Sequence, residues 1–177
     1  MRKKSNDIIL IHGMPASGKS TVSIVLAECI KNNLKRFVAL ISGDNFANIC
    51  YGCTYSEDEM NMKYQNLKSV LMNLLEVDGY IIIDDFFKRE KDYIDIRNFL
   101  NNAGRHVFVA KINCDFNERL IRDSFRNSGK KLGIDLMNEY EHNYKSVLDT
   151  LPFDLCVNTG TETIDEIVKK IEGFLEE

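Results

Sequence analysis

"IILIHGMPASGKSTVSIVLAECI", residues 8–30, decides how this chain folds. Residues 8–11 form an unbroken apolar run, a glycine-bounded loop follows, and Val22, Val25, Leu26, Cys29 and Ile30 then recur at helical spacing over 19–32. This is strand, loop, helix. The loop "GMPASGKST", residues 13–21, matches G-x-x-x-x-G-K-[ST] in the context that pattern requires. Gly13 and Gly18 let the backbone fold tightly, so that amides of Ala16, Ser17 and their neighbours converge on phosphate oxygens at a helix N-terminus. Lys19 is expected to reach the β- and γ-phosphates, Ser20 to ligate Mg²⁺, and Thr21 to complete the ATP-binding loop. The loop establishes nucleotide binding but does not choose between a motor, a switch and a kinase.

The rest of the chain repeats the alternation. Strands are predicted over 36–41, 80–83, 106–113 and 153–157. Helices are predicted from Ser56 to near Gly79, over 91–102, near 116–127 and 134–150, and from Thr163 onward. Ser56 with Glu59, and Thr163 with Glu166, carry the S/T-x-x-E spacing of a capping box. Gly104 suits a left-handed helix C-terminus. Strands apolar on both faces between helices predict an α/β fold: a three-layer sandwich with a five-stranded parallel sheet, in one domain over 1–177.

Composition narrows the class. The 44% apolar content of 177 residues supports one core, and no apolar run approaches the roughly 18 residues that span a bilayer. "MRKKSND" is basic but leads to no small-residue cleavage site, so a cytoplasmic location is expected. Five cysteines without a regular framework suit a reducing compartment, and "CYGC", 50–53, has no second Cys/His pair to complete a zinc site. A net charge of −4 without a basic stripe argues against a nucleic-acid partner. A homo-oligomer is compatible with the sequence.

Three further stretches carry chemistry. "LISGDNF", 40–46, sets Asp44 directly after a predicted strand, where it either caps a helix or faces the site. "YIIIDD", 80–85, delivers carboxylates to the C-terminal edge of the sheet. Asp84, the first polar residue after the run, is assigned to Mg²⁺; Asp85 is left to face the acceptor or to support the metal ligand, with capping as its bland alternative. "CDFNERLIRDSFRNSGKK", 114–131, places Arg119, Arg122 and Arg126 on one predicted helix. Such guanidinium groups either clamp a transferring phosphoryl group or pair with Glu118 and Asp123 on a solvated face. A lid-like segment over about 115–134 is expected, with Gly129 and Gly133 flanking its hinge. Phe46, Tyr51, Tyr55, Phe86 and Phe87 are candidates for an apolar acceptor pocket, or plain core.

With these residues placed, the chain resembles the chloramphenicol phosphotransferase family of P-loop kinases, related to adenylylsulfate kinase and the nucleoside-monophosphate kinases. "GDNF" resembles that family's V-D-S-F, "IIIDDFF" its I-I-I-D-D-V-F, and "CDFNERLIRDSFR" its spacing from Cys-Asp to two arginines, here Arg122 and Arg126. The resemblance implies that Asp44 is the general base toward an acceptor hydroxyl. It also implies that Lys19, Arg122 and Arg126 serve transfer, and that adenine lies between the arginine helix and "NTGTE", 158–162. Asp44, Phe46, Asp85 and Phe86 are the corresponding candidates for binding the acceptor. The chain departs from the family at "VNTG", where a D-T pair is common, and between Phe46 and Lys68. The expected activity is therefore transfer of phosphate from ATP to a hydroxyl of a small organic molecule, an antibiotic or nucleoside-like compound among the options. A nucleotide or polynucleotide kinase, a nucleotide-dependent switch and a toxin acting on a sugar nucleotide are the competing readings.

Overall fold

A computed structural model describes residues 7–175; the basic N-terminal stretch lies outside the described residues apart from Asp7. The first strand, β1 (Asp7–His12), leads through the phosphate loop into α1 (Lys19–Cys29), which ends in a π-helical turn, Ile30–Leu34. Then come β2 (Phe37–Ser42), α2 (Gly43–Ala47), α3 (Glu57–Leu74), β3 (Gly79–Asp85) and α4 (Glu90–Asn102). The chain continues with β4 (Val107–Asn113), α5 (Phe116–Ser124), α6 (Ile134–Thr150), β5 (Leu155–Asn158) and α7 (Ile164–Leu175). All pairings are parallel, in the order β2-β3-β1-β4-β5.

Alternation along each strand builds the layers. Ile8 and Leu10 of β1, with Ile81 and Ile83 of β3 and Val107 and Val109 of β4, pack against α3, α4 and α6. Ile9 and Ile11, with Ile82, Phe108, Ala110 and Ile112, point to the opposite face and pack against α1 and α7. Both faces of the central strands are therefore covered, as continuous apolar runs require. The connection from β1 turns toward β2 and that from β4 toward β5, so the crevice at their C-terminal ends is the switch point where ligands of open α/β sheets bind.

Capping explains several boundaries. Ser56 and Glu59 form the reciprocal box at the start of α3, and Thr163 and Glu166 exchange the same bonds before α7. Gly104 takes φ +72 after α4. Two boundaries and one added element change the site relative to the sequence reading. The third helix stops at Leu74 rather than near Gly79, because 75–78 turn back to start β3. The arginine helix ends at Ser124, so Arg126 lies in the turn beyond it, its amide bonded to the Asp123 carbonyl. The short α2 was not anticipated, and Asp44 sits in its first turn.

Candidate active site

Register sets the scene at the sheet edge. Ser42 lies beside Asp84, and His12 beside both Asp85 and Lys111, so β1, β2, β3 and β4 end on one line. The phosphate loop rises from that line. Gly18 adopts φ +94 as the N-cap of α1, a conformation open to glycine at little cost, and Ala16 takes φ +61 within the loop. Lys19 folds back so that Nζ donates to the Met14 carbonyl at 3.0 Å. Burial pushes its ammonium down from the ordinary value; Asp84, Asp44 and Asp85 oppose the fall, and the charge of Arg126 adds to it. Lys19 thus shares one electrostatic field with three acids and with an arginine.

Ser20 and Asp84 meet, the hydroxyl donating to Oδ2 at 2.6 Å. Burial raises the Asp84 pKa, opposed by Lys19 and by the Ser20 bond. A hydroxyl and one carboxylate beside a phosphate loop suit Mg²⁺, which keeps waters and substrate phosphates as its other ligands. The donor set fits that ion. No cluster of three or more His, Cys, Asp or Glu able to hold a metal occurs among the described residues.

Asp85 goes the other way. Its Oδ1 accepts from Lys63 Nζ and from the Phe86 amide, and its Oδ2 from the Tyr64 hydroxyl, each at 2.8 Å. The side chain is fully enclosed, at 0% exposure, beneath Gly43. Asp85, expected to face the acceptor or to support the metal ligand, has its carboxylate engaged in a buried ion pair beneath α2. Lys63 and Tyr64 were missed in the sequence. Lys63 lies on the stripe of Met60, Tyr64, Leu67 and Leu71, and a lysine on an apolar helix face is a signal for a buried partner.

The arginines separate by role. Arg122 donates from Nη1 to Thr159 Oγ1 at 2.8 Å, from Nη2 to the Thr159 carbonyl at 2.9 Å, and from Nε to Glu118 at 3.1 Å. Thr159 Oγ1 donates to the Ser17 carbonyl at 2.6 Å, so this cluster ties the phosphate loop to the turn after β5. Arg119 is buried against Glu141. Arg122 thus makes the Glu118 pair that the sequence offered as the alternative to phosphoryl binding, and Arg119 turns into the core. Arg126 is held loosely, 3.6 Å from Asp123, with its side chain about one-third exposed.

Asp44 is exposed, and among the described residues its carboxylate has no hydrogen-bond partner. Its charge reaches Lys19, Tyr55, Lys88 and Tyr140. Helix capping is not its role, since it stands inside α2 and not at the Ser42 N-cap. Phe86 packs beside Tyr140 and Tyr144, with ring centroids 5.5 and 5.7 Å away, and Phe46 is half-buried at the edge of the core. Phe87 is wholly buried core and Tyr51 wholly exposed, so neither belongs to this wall. Lys88, Tyr140 and Tyr144 do belong, and periodicity could not signal the grouping because it joins a loop to a helix 52 residues further on.

The model of the family described as chloramphenicol phosphotransferase-like protein matches residues 6–176. The chain belongs to this family. It is a P-loop kinase. No curated protein sequence matches it. Among solved structures it is similar to the Mycobacterium tuberculosis APS kinase CysC in complex with AMPPNP and APS (TM-score 0.69, 16% identity, covering 99% of this chain and 100% of that one). A gluconokinase from Sinorhizobium meliloti 1021 aligns with TM-score 0.65 at 15% identity over 96% of this chain and 90% of that one. Shikimate kinase from Acinetobacter baumannii in complex with shikimate aligns at 0.58 and 17% over 97% and 94%. These likenesses establish the fold. No helix among the described residues is long and apolar enough to cross a membrane.

Proposed function

We propose that this kinase moves the γ-phosphate of ATP to a hydroxyl of a small organic acceptor, with Asp44 as general base. The observation that carries the reading is the convergence of three acids and a lysine at the strand ends: Ser20 bonded to Asp84 at 2.6 Å, and Lys19 in the shared field of Asp84, Asp44 and Asp85. The loop 13–21 binds the phosphates, with Lys19 on the β- and γ-groups. Ser20 and Asp84 would hold Mg²⁺, which would supply positive charge to offset that developing on the phosphates. Arg126 swings onto the transferring group, while Arg122 positions the loop by holding Ser17 and Thr159. Adenine lies along the turn after β5. Phe46 and Phe86 border the acceptor. As the acceptor oxygen bonds to phosphorus and the bond to the ADP oxygen breaks, the hydroxyl proton passes to the Asp44 carboxylate. Five free cysteines suit a reducing cytoplasm.

The test is a screen of hydroxylated metabolites and antibiotics for ATP-dependent gain of one phosphoryl group. In Asp44→Asn the rate is expected to fall by about 10²–10⁴, with ATP affinity unchanged. Full transfer by that variant, or release of free phosphate with no phosphorylated product from any acceptor, would defeat the proposal.

A further inference from the structure

Lys88 is a cation without an anion. It follows β3 on the loop beside Phe86 and Phe87, and its Nζ lies 3.8 Å from the ring centroid of Tyr55, 4.6 Å from that of Tyr140 and 5.8 Å from that of Tyr144. It donates one hydrogen bond, to the Tyr140 hydroxyl at 2.9 Å. Among the described residues no carboxylate comes within ion-pair distance of it; Lys63, Arg119 and Arg126 each have one, and Lys19, which also lacks one, lies in the loop assigned to the triphosphate. Burial pushes its ammonium down, and the charge of Lys63 adds to that push; Tyr144, Asp44 and Cys53 act against it. Aromatic faces offset part of the cost of withdrawing an ammonium from water, but an ion pair offsets far more. A half-buried ammonium kept without a counter-charge among aromatic rings is prepared for an anion that comes from outside.

The surroundings say which anion. Asp44 is the acid whose charge acts on Lys88 without bonding to it, and the same charge reaches Tyr55 and Tyr140, the two rings nearest the Lys88 ammonium. Phe86 and Tyr144 meet edge to face, 5.7 Å between centroids, and supply an apolar wall. A cationic substrate group would find the aromatic cage already filled by Lys88. An uncharged acceptor would leave the ammonium buried without a counter-charge.

We propose that Lys88 receives an anionic group of the acceptor, which is then a small hydroxylated molecule bearing a carboxylate, phosphate or sulfate, its hydroxyl at Asp44 and its anion in the tyrosine cage. This rests on the kinase reading of the groove given above.

The experiment separates the two. Binding of benzoate, phenyl phosphate, phenyl sulfate and uncharged benzamide is measured by calorimetry on the intact chain saturated with Mg²⁺ and AMPPNP, which fills the phosphate loop and cannot support ordinary transfer. At least one anion should bind. Lys88→Gln should weaken it by about tenfold or more, the scale of one ion pair, Lys88→Arg should retain it, and benzamide should be indifferent to both changes. The ranking of the three anions identifies the acidic group. Equal binding of anions and benzamide, absence of anion binding, anion affinity unchanged in Lys88→Gln, or displacement of the anions by AMPPNP would each overturn the proposal. Lys88→Met supplies a second readout. Its melting temperature should equal or exceed the wild type, and a clear fall would mean that the ammonium holds the fold instead. Anion binding lost in Lys88→Gln, with no hydroxy acid phosphorylated by the wild type, would keep this site and remove the kinase reading. Transfer to uncharged alcohols undiminished in Lys88→Gln would do the reverse.

Discussion

Gly43 stands where the chemistry of two acids meets. A Cβ there would lie 2.7 Å from Asp85 Oδ2 and closer still to Cγ. The carboxylate cannot retreat, because Lys63, Tyr64 and the Phe86 amide hold it. The position before Asp44 is therefore restricted to glycine by a close approach. Gly43→Ala is expected to cost about 1–3 kcal/mol of stability, the scale of overpacking, and to lower kcat more than KM by displacing the first turn of α2. Wild-type kcat with only a stability loss would show that Asp44 tolerates the displacement. The neighbouring Asp85 shows the limit of motif reading at this scale: adjacent residues on a strand point to opposite faces, so one of "DD" meets Ser20 and the other turns toward α3.

At the scale of elements, the segment between α5 and α6 is fastened at one end. Asp123 accepts from the Leu132 amide at 3.1 Å and from the Gly133 amide at 2.9 Å, while the intervening 125–131 are largely exposed. Of the two glycines expected to flank a hinge, Gly133 takes φ +80 and Gly129 has no left-handed φ. Arg126 on this segment already acts on Lys19 across the cleft. Binding of Mg²⁺ and AMPPNP should draw it inward, so tryptic cleavage after Arg126, Lys130 and Lys131 should slow several-fold in wild type and less in Asp123→Ala. Equal cleavage with and without nucleotide would remove closure from the mechanism.

On the scale of the whole molecule, His12 links the sheet to acid stability. The ring is wholly buried at the end of β1, edge-on to Tyr93, and among the described residues neither nitrogen has a hydrogen-bond partner. Burial, then the charges of Lys111 and Lys19, lowers its pKa from 6.5 to about 3. The unfolded chain therefore binds a proton that the native chain refuses. This contribution to stability is intact above 6.5, is lost progressively as pH falls, and levels off below about 3. By pH 5 the loss should reach about 2 kcal/mol in urea unfolding. A His12 NMR titration with its midpoint near the ordinary histidine value would contradict this.

Much of this protein was legible without coordinates, for a physical reason. The phosphate loop, the capping boxes at Ser56 and Thr163 and the alternation of strand and helix arise from residues a few positions apart, whose interactions depend on local backbone geometry. Ser20 and Asp84 were also readable, since a phosphate loop and a strand ending in acid imply one sheet edge. The remaining choices waited for strand order and register. Only the folded chain brings Lys63 under Asp85, commits Arg122 to Thr159 while leaving Arg126 loose, and assembles Tyr55, Lys88, Tyr140 and Tyr144 from three separate stretches. These are pairings between groups distant along the chain, and their energies depend on burial and separation in space, which consecutive residues do not encode.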